Sequence, residues 1–205
     1  MKKTLSKKLI FQGLWALFLG LGVGVFTLIG QKYLPGSLNS LANSGAIWLI
    51  PAFFMASIAN DKFSAILLCI ETLAVSVISY YLIESIVNNH SFDWIGYYFI
   101  LWLVCALIAG VVFGLGAYFW KLKSKWYYCG ASLLPAVFLS EGLIMLIYIS
   151  EYMHMIPAVI GRIVLGLILY FFIYKSAFYR WKPILSFCLI TILGVIGFLV
   201  LFQLT

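Results

Sequence analysis

Four charged residues lie inside apolar runs of the sequence: Glu71, Glu84, Glu141 and Arg162. In hydrocarbon an ionised side chain near the midplane costs roughly 2.5 to 3.5 kcal/mol even on insertion scales. Such residues persist where they pair with an opposite charge, bind a solute or face a water-filled cavity. Which chemistry applies depends on whether these runs cross a membrane.

The composition is typical of a membrane protein. Of the 205 residues, 65% are hydrophobic and 9% are charged, whereas soluble domains carry about 25% charged residues. Apolar runs long enough to span a bilayer recur throughout the chain. We therefore predict an all-α fold, a polytopic transmembrane helical bundle that forms one integral-membrane domain over residues 1–205. The lipid bilayer is its first expected partner.

Seven spans are predicted, and six stay open because the second run is short, contains Pro51 and begins with polar residues. That run could be a broken or re-entrant segment. The predicted spans are Leu9–Gly30, Leu41–Ala59, Phe63–Val87, Trp94–Trp120, Trp126–Ser150, Ile156–Lys175 and Pro183–Leu204.

The basic residues predict the orientation. The net charge is +7, and with seven spans every Lys and Arg except Lys32 and Arg162 falls on one side. The positive-inside rule makes that side, and with it the N-terminus, cytoplasmic. Nucleic acid is not an expected partner, because the basic residues occupy short segments between apolar runs.

A polar cluster is predicted in the outer half of the bundle. A rise of about 1.5 Å per residue puts Arg162 roughly 9 Å, and Glu141 roughly 14 Å, below the outer ends of adjacent spans, so their side chains could meet. The other predicted members lie on the same side: Asn39, Asn43, Glu84 and His154. Glu71 is a separate intramembrane acid in the inner half of the third span.

Two interpretations of the cluster stay open. Glu141 and Arg162 could form a structural pair that sets helix register, because removing one partner would leave a buried charge. Alternatively they line a binding pocket, because Pro135 before the glutamate and Gly142 after it are typical of a helix that opens towards a cavity. Solvation at the membrane surface is the simpler explanation for two members: Glu84 and His154.

No catalytic constellation is present in the sequence, which contains no GxSxG, HExxH, Walker-type or paired-cysteine motif. The two histidines, His90 and His154, make no obvious metal site without further ligands. We therefore expect no metal and no cofactor, and an intramembrane enzyme is the least favoured alternative.

Small residues recur on the faces of two predicted spans, and such stripes let helices approach closely. They are Gly13, Ala16, Gly20 and Gly24 in the first span and Ala106, Gly110 and Gly114 in the fourth. Packing within the bundle is the commoner use. Docking of a membrane partner subunit or of a second copy is the alternative.

Three segments resemble a known family: LPGSLNSLANSGAIWLIPAF (Leu34–Phe53), LIAGVVFGLGAYFW (Leu107–Trp120) and LLPAVFLSEGL (Leu133–Leu143). They resemble an uncharacterised family of small bacterial multi-pass membrane proteins, defined as a domain of unknown function. The resemblance implies a bacterial cytoplasmic membrane and brings no activity with it.

The chain is also similar to the substrate-capture subunits of energy-coupling-factor vitamin transporters. This likeness implies that the stripe of Ala16, Gly20 and Gly24 docks a partner and that a ligand binds in the outer half. The chain differs from these subunits in its seventh span and its outside C-terminus.

These observations lead to the hypothesis of a small-solute binding or transport component with an outward-facing polar pocket, built from Glu141, Arg162 and the polar segment Asn39–Ser44. In it, Glu141 receives a cationic or hydrogen-bonding group, Arg162 binds or orients an anionic part, and Asn43 adds hydrogen bonds. The alternative is a non-catalytic accessory or regulatory subunit of a larger membrane complex.

Overall fold

A computed structural model describes residues 2–88, 92–122 and 124–203, with side chains described for 8–88, 96–122 and 124–203. Within these residues the fold is all-helical and contains no strand, and seven helical segments are long and apolar enough to cross a membrane. The prediction of about seven spans is confirmed, whereas the orientation stays a prediction. The segments are Lys8–Tyr33, Gly36–Ser57, Lys62–Asn88, Gly96–Leu122, Tyr127–Ile147, Ile149–Ala177 and Trp181–Phe202.

The described residues form helices separated by short turns. The helices are α1 (Lys2–Tyr33), α2 (Asn39–Ala42), α3 (Gly45–Ser57), α4 (Lys62–Asn88), α5 (Phe92–Leu122), α6 (Tyr127–Ile147), α7 (Ile149–Tyr152), α8 (Ile156–Tyr174) and α9 (Trp181–Phe202). Three 3₁₀ turns connect them, at Gly36–Leu38, Met153–Met155 and Lys175–Ala177. The predicted loop between the fifth and sixth spans is thus largely helical, since it contains α7 and the second of these turns.

The second span is broken, which agrees with the predicted alternative of a broken segment. A 3₁₀ turn and α2 precede the break at Asn43 and Ser44, and α3 follows it. Ser44 caps the new helix, because its Oγ accepts a hydrogen bond of 3.2 Å from the backbone N–H of Ala46. Asn and Ser side chains compete with the backbone for hydrogen bonds, which favours a break here.

The chain divides into two compact units. The first unit contains the residues up to Gly30 and Trp48–Tyr118, and the second contains Gln31–Ile47 and the residues from Phe119 onward. The prediction of a single domain stays a prediction.

Small residues let α1 pack against α4 within the first unit. A Cβ placed on Gly20 would lie 2.7 Å from the Cβ of Val75, and one placed on Gly24 would lie 2.6 Å from the backbone nitrogen of Tyr80. Both distances are too short for a side chain. Two glycines of α5 contact α4 in the same way: Gly110 and Gly114. The stripes therefore serve contacts inside the unit.

A carboxylate caps the start of α4. Asp61 accepts hydrogen bonds from the backbone N–H of Ser64 at 2.9 Å and from its hydroxyl at 2.7 Å. These bonds, led by the backbone one, hold the pKa of Asp61 below its ordinary value of 3.8. Because the carboxylate is the form that is stabilised, the cap contributes fully above this ordinary value and is lost as the pH falls through the folded-state pKa.

We expect Asp61→Ala to lower the free energy of unfolding by about 0.5 to 1 kcal/mol near pH 7, because an exposed cap lies at the low end of the measured range. The deficit should be smaller at a pH below the folded-state pKa, because the wild-type carboxylate is then protonated as well. Thermal unfolding of both proteins at the two pH values measures it. Asp61→Asn is the control, because the amide caps a helix without titrating. An equal deficit of Asp61→Ala at both pH values would contradict the assignment.

Candidate functional site

Two glycines bring α6 and α8 together in the second unit. A Cβ placed on Gly142 of α6 would lie 2.7 Å from the Cγ1 of Ile163, and one placed on Gly166 of α8 would lie 2.9 Å from a backbone oxygen of α6. The two helices therefore touch at backbone level. Glu141 precedes the first glycine and Arg162 precedes Ile163, so the close approach places the two charges side by side.

Glu141 and Arg162 form a buried ion pair. The Nε of Arg162 lies 3.0 Å from the Oε1 of Glu141, and the two side chains are 5% and 12% exposed, respectively. The N–H on this Nε is not aligned with any acceptor among the described residues, so the attraction across the contact is between charges. Glu141 lies six positions before the last residue of α6, Ile147, and Arg162 lies six positions after the first residue of α8, Ile156. The two charges are thus equally deep, about 9 Å along each helix.

The second oxygen of the glutamate contacts the start of α3. The hydroxyl of Ser44 donates a hydrogen bond of 2.5 Å to the Oε2 of Glu141. Because Ser44 also caps α3, the carboxylate lies beside a helix N-terminus, where the helix dipole stabilises negative charge. Both oxygens of Glu141 are therefore engaged by groups of the protein.

The guanidinium of Arg162 binds α2 and its own helix. Its Nη2 donates to the backbone oxygen of Ser40 at 3.0 Å, and its Nη1 donates to the backbone oxygen of Ala158 at 3.2 Å and to the hydroxyl of Ser40 at 3.4 Å. The Nη2 keeps a second N–H for another acceptor. Arg162 thus links α8 to the segment before the break in the second span.

A cavity of about 360 Å³ opens beside this guanidinium. Its lining residues are polar: Gln31, Asn39, Ser40, Asn43 and Arg162. Amide and hydroxyl groups both donate and accept hydrogen bonds, whereas the guanidinium only donates. Glu141 is not among the lining residues, so the cavity carries a positive charge at its wall and the negative charge lies behind it.

The predicted site residues fall into three groups. Asn39 and Asn43 are exposed and line the cavity with Arg162, and Glu141 pairs with the latter. His154 is exposed on a 3₁₀ turn and makes no hydrogen bond or ion pair with the described residues.

The two remaining acids belong to the first unit. Glu84 is half-buried near the C-terminal end of α4, and Glu71 is half-buried further back in the same helix. The polar cluster of the second unit is therefore defined without them. His90 lies outside the described residues. Within the described part of the chain, no group of three or more His, Cys, Asp or Glu side chains is placed to hold a metal ion.

Sequence reasoning did not name Gln31 or Ser40 individually, and it included Ser44 only as the last residue of the segment Asn39–Ser44. Gln31 was assigned to a loop because the first span was ended at Gly30, but α1 continues for one more turn to Tyr33. The two serines lie in the polar segment that was expected to build the pocket. Their spacing, four residues apart in a broken span, is the signal that could have identified them.

A family model that matches residues 3–204 is described as a family of unknown function, DUF6518. The chain belongs to this family. Membership confirms the resemblance to an uncharacterised family that was inferred from the three quoted segments, and the match extends over the last span as well. No curated protein and no solved structure matches the chain.

Proposed function

We propose that the protein is a small-solute binding or transport component of a membrane and that the solute occupies the cavity beside Arg162. The observation that carries the proposal is the cavity itself: its volume of about 360 Å³ lies at the lower end of the range for ligand pockets, and its lining is polar. A pocket of this size and polarity suits a small hydrophilic solute.

The charges at the wall favour one class of solute. Arg162 lines the cavity and keeps a donor on its Nη2, whereas the carboxylate of Glu141 is engaged by Arg162 and Ser44. We therefore assign solute contact to Arg162 and a positioning role to Glu141, in place of the direct contact expected from the sequence. A solute with a carboxylate or another hydrogen-bond acceptor fits this wall best.

The membrane we propose is the bacterial cytoplasmic membrane, with the cavity opening outward. The basic residues of the connecting segments support this orientation through the positive-inside rule. The resemblance to small bacterial membrane proteins supports the location.

A thermal-shift assay on the purified full chain tests the binding function. The probes are succinate for carboxylates, glutamate for amino acids and glucose for neutral polyols. We expect succinate or glutamate to raise the melting temperature in a saturable way, since a ligand at a hundred times its Kd stabilises by about 2.7 kcal/mol. If none of the three shifts the melting temperature, the proposed solute class is wrong.

The substitution Asn43→Ala tests whether the probe binds in the cavity or elsewhere on the protein surface. Its side chain lines the cavity and is exposed, so we expect the fold to survive and the Kd of the stabilising probe to rise by about tenfold, the effect of one lost hydrogen bond to a charged group. The matched control is Asn88→Ala, an exposed asparagine at the end of α4. Equal Kd values for both variants and the wild type would contradict the assignment of the cavity.

The accessory-subunit alternative has no specific observation in its favour. The stripe of α1 that was its expected docking face packs against α4 at Gly20 and Gly24.

A further inference from the structure

Glu71 lies well inside a helix that is long and apolar enough to cross a membrane. It follows the first residue of α4 by nine positions, or about 13 Å. Its carboxylate lies against Gly13 of α1, because a Cβ placed on that glycine would be 3.5 Å from Oε2 and 3.7 Å from Oε1. The carboxylate thus lies at ordinary van der Waals distance from the point where a side chain at residue 13 would begin.

Glu71 makes no hydrogen bond and no ion pair with the residues that the structure describes. This distinguishes it from Glu141, which has a partner for each oxygen. The adjacent hydroxyl of α4 is committed to its own helix, because Thr72 donates to the backbone oxygen of Leu68 at 2.8 Å.

No counter-charge faces Glu71 from the described parts of the elements around it. On α1 the nearest described charge is Lys8, which donates a hydrogen bond to Asn60. The other α1 titratable groups are Lys2, Lys3, Lys7, Lys32 and Tyr33. Helix α3 carries no titratable residue. The other titratable groups of α4 are Lys62, nine positions before Glu71, and Cys69, Tyr80, Tyr81 and Glu84. Between Gly96 and Leu122, the titratable groups of α5 are Tyr97, Tyr98, Cys105 and Tyr118 and, in its last turn, Lys121.

We propose that Glu71 is a proton-binding site within the membrane, located where α1 and α4 meet at Gly13. An ionised carboxylate is energetically costly in a membrane span, and no ion-pair partner among the described residues offsets that cost. Proton uptake removes the charge and with it this cost. The carboxyl group therefore binds a proton under conditions in which an exposed carboxylate has released its own. The inference does not depend on the solute cavity.

Dicyclohexylcarbodiimide, a lipid-soluble reagent, reports the proton directly. A protonated carboxyl group adds across one C=N bond: its oxygen bonds to the central carbon while its proton moves to nitrogen. The acyl group then shifts from oxygen to nitrogen and gives a stable N-acylurea without a leaving group. The full chain in phosphatidylcholine vesicles is treated between about pH 5 and about pH 9, and peptide mass spectrometry quantifies the adduct.

We expect Glu71 to be modified near pH 7 at least about tenfold more than the exposed Glu151, and its modified fraction to fall by about tenfold per pH unit on the alkaline side. Glu141 should stay unmodified, because its charge is paired. Modification of Glu71 that is absent at every pH, independent of pH or no greater than that of Glu151 would overturn the proposal.

Two glycine variants test the location. Gly13→Leu fills the space around the carboxylate and is expected to reduce the modification of Glu71 several-fold. Gly22→Leu on the same helix should leave it unchanged, because no other group lies within 4 Å of a Cβ there. If Glu71 is modified in a folded Gly13→Leu variant to the same extent as in the wild type, the proposed location beside Gly13 of α1 is wrong. If the Gly13→Leu variant does not fold, the Glu71→Asp variant provides the test. We expect its shorter carboxyl group to be modified in the same pH-dependent way, and a modified fraction that does not change with pH would overturn the proposal.

Discussion

Arg162→Met is expected to lower the free energy of unfolding by about 3 to 5 kcal/mol, the usual cost of removing one partner from a buried ion pair. The reason is the charge that stays behind: Glu141 would keep only the hydrogen bond from Ser44. Titration with a denaturing detergent, followed by circular dichroism, measures the loss. Lys32→Met is the control, because this exposed lysine should change stability by no more than about 0.5 kcal/mol.

A double-mutant cycle tests the cause of that loss. Glu141→Gln combined with Arg162→Met removes both charges, so the double variant should be more stable than the sum of the two single effects predicts, by at least about 1 kcal/mol. Strictly additive effects would show that the two charges do not stabilise each other. Because this cycle measures only stability, its outcome is separate from the solute measurements on Asn43.

Gly20→Leu is expected to lower the free energy of unfolding by about 3 kcal/mol, the upper part of the range for overpacking a close contact. Its new Cβ alone would lie 2.7 Å from the Cβ of Val75 and 2.8 Å from the backbone oxygen of Thr72. Neither atom belongs to the flexible end of a side chain, so α1 would have to move away from α4. The same detergent titration measures the effect.

Gly22→Leu provides the matched control on the same helix. Nothing lies within 4 Å of a Cβ at this position, so we expect a change within about 0.5 kcal/mol. Equal stabilities for the two leucine variants would contradict the packing of the α1 stripe against α4. That outcome would return the stripe to the role of a docking face.

Much of the fold follows from the sequence, because apolar run length predicts how many helices can cross a bilayer. The seven described segments agree with the predicted spans in number and order. The ends of helices were harder to predict. Helix α6 ends at Ile147, before the predicted Ser150. A helix end depends on local hydrogen bonds and is poorly marked in an apolar run that continues past it.

The candidate site was predictable in part. The ion pair was predicted because Glu141 and Arg162 carry opposite charges on adjacent spans. Helix α6 ends three residues earlier than predicted, which makes the depths of the two residues equal. The contact from Ser44 was not predictable, because it depends on where the second span breaks. The position of Glu141 outside the lining of the cavity was not predictable either. Whether a charged group lines a cavity or lies behind one depends on side-chain direction, which spacing alone does not give.

The contact between Arg162 and Ser40 has a consequence for how the pocket can diversify. The shortest hydrogen bond of Arg162 goes to the backbone oxygen of Ser40, and every amino acid provides such an oxygen. The arginine can therefore stay in place while the neighbouring side chains at positions 39 and 43 are exchanged. The position of the charge is therefore independent of the side chains that line the cavity beside it.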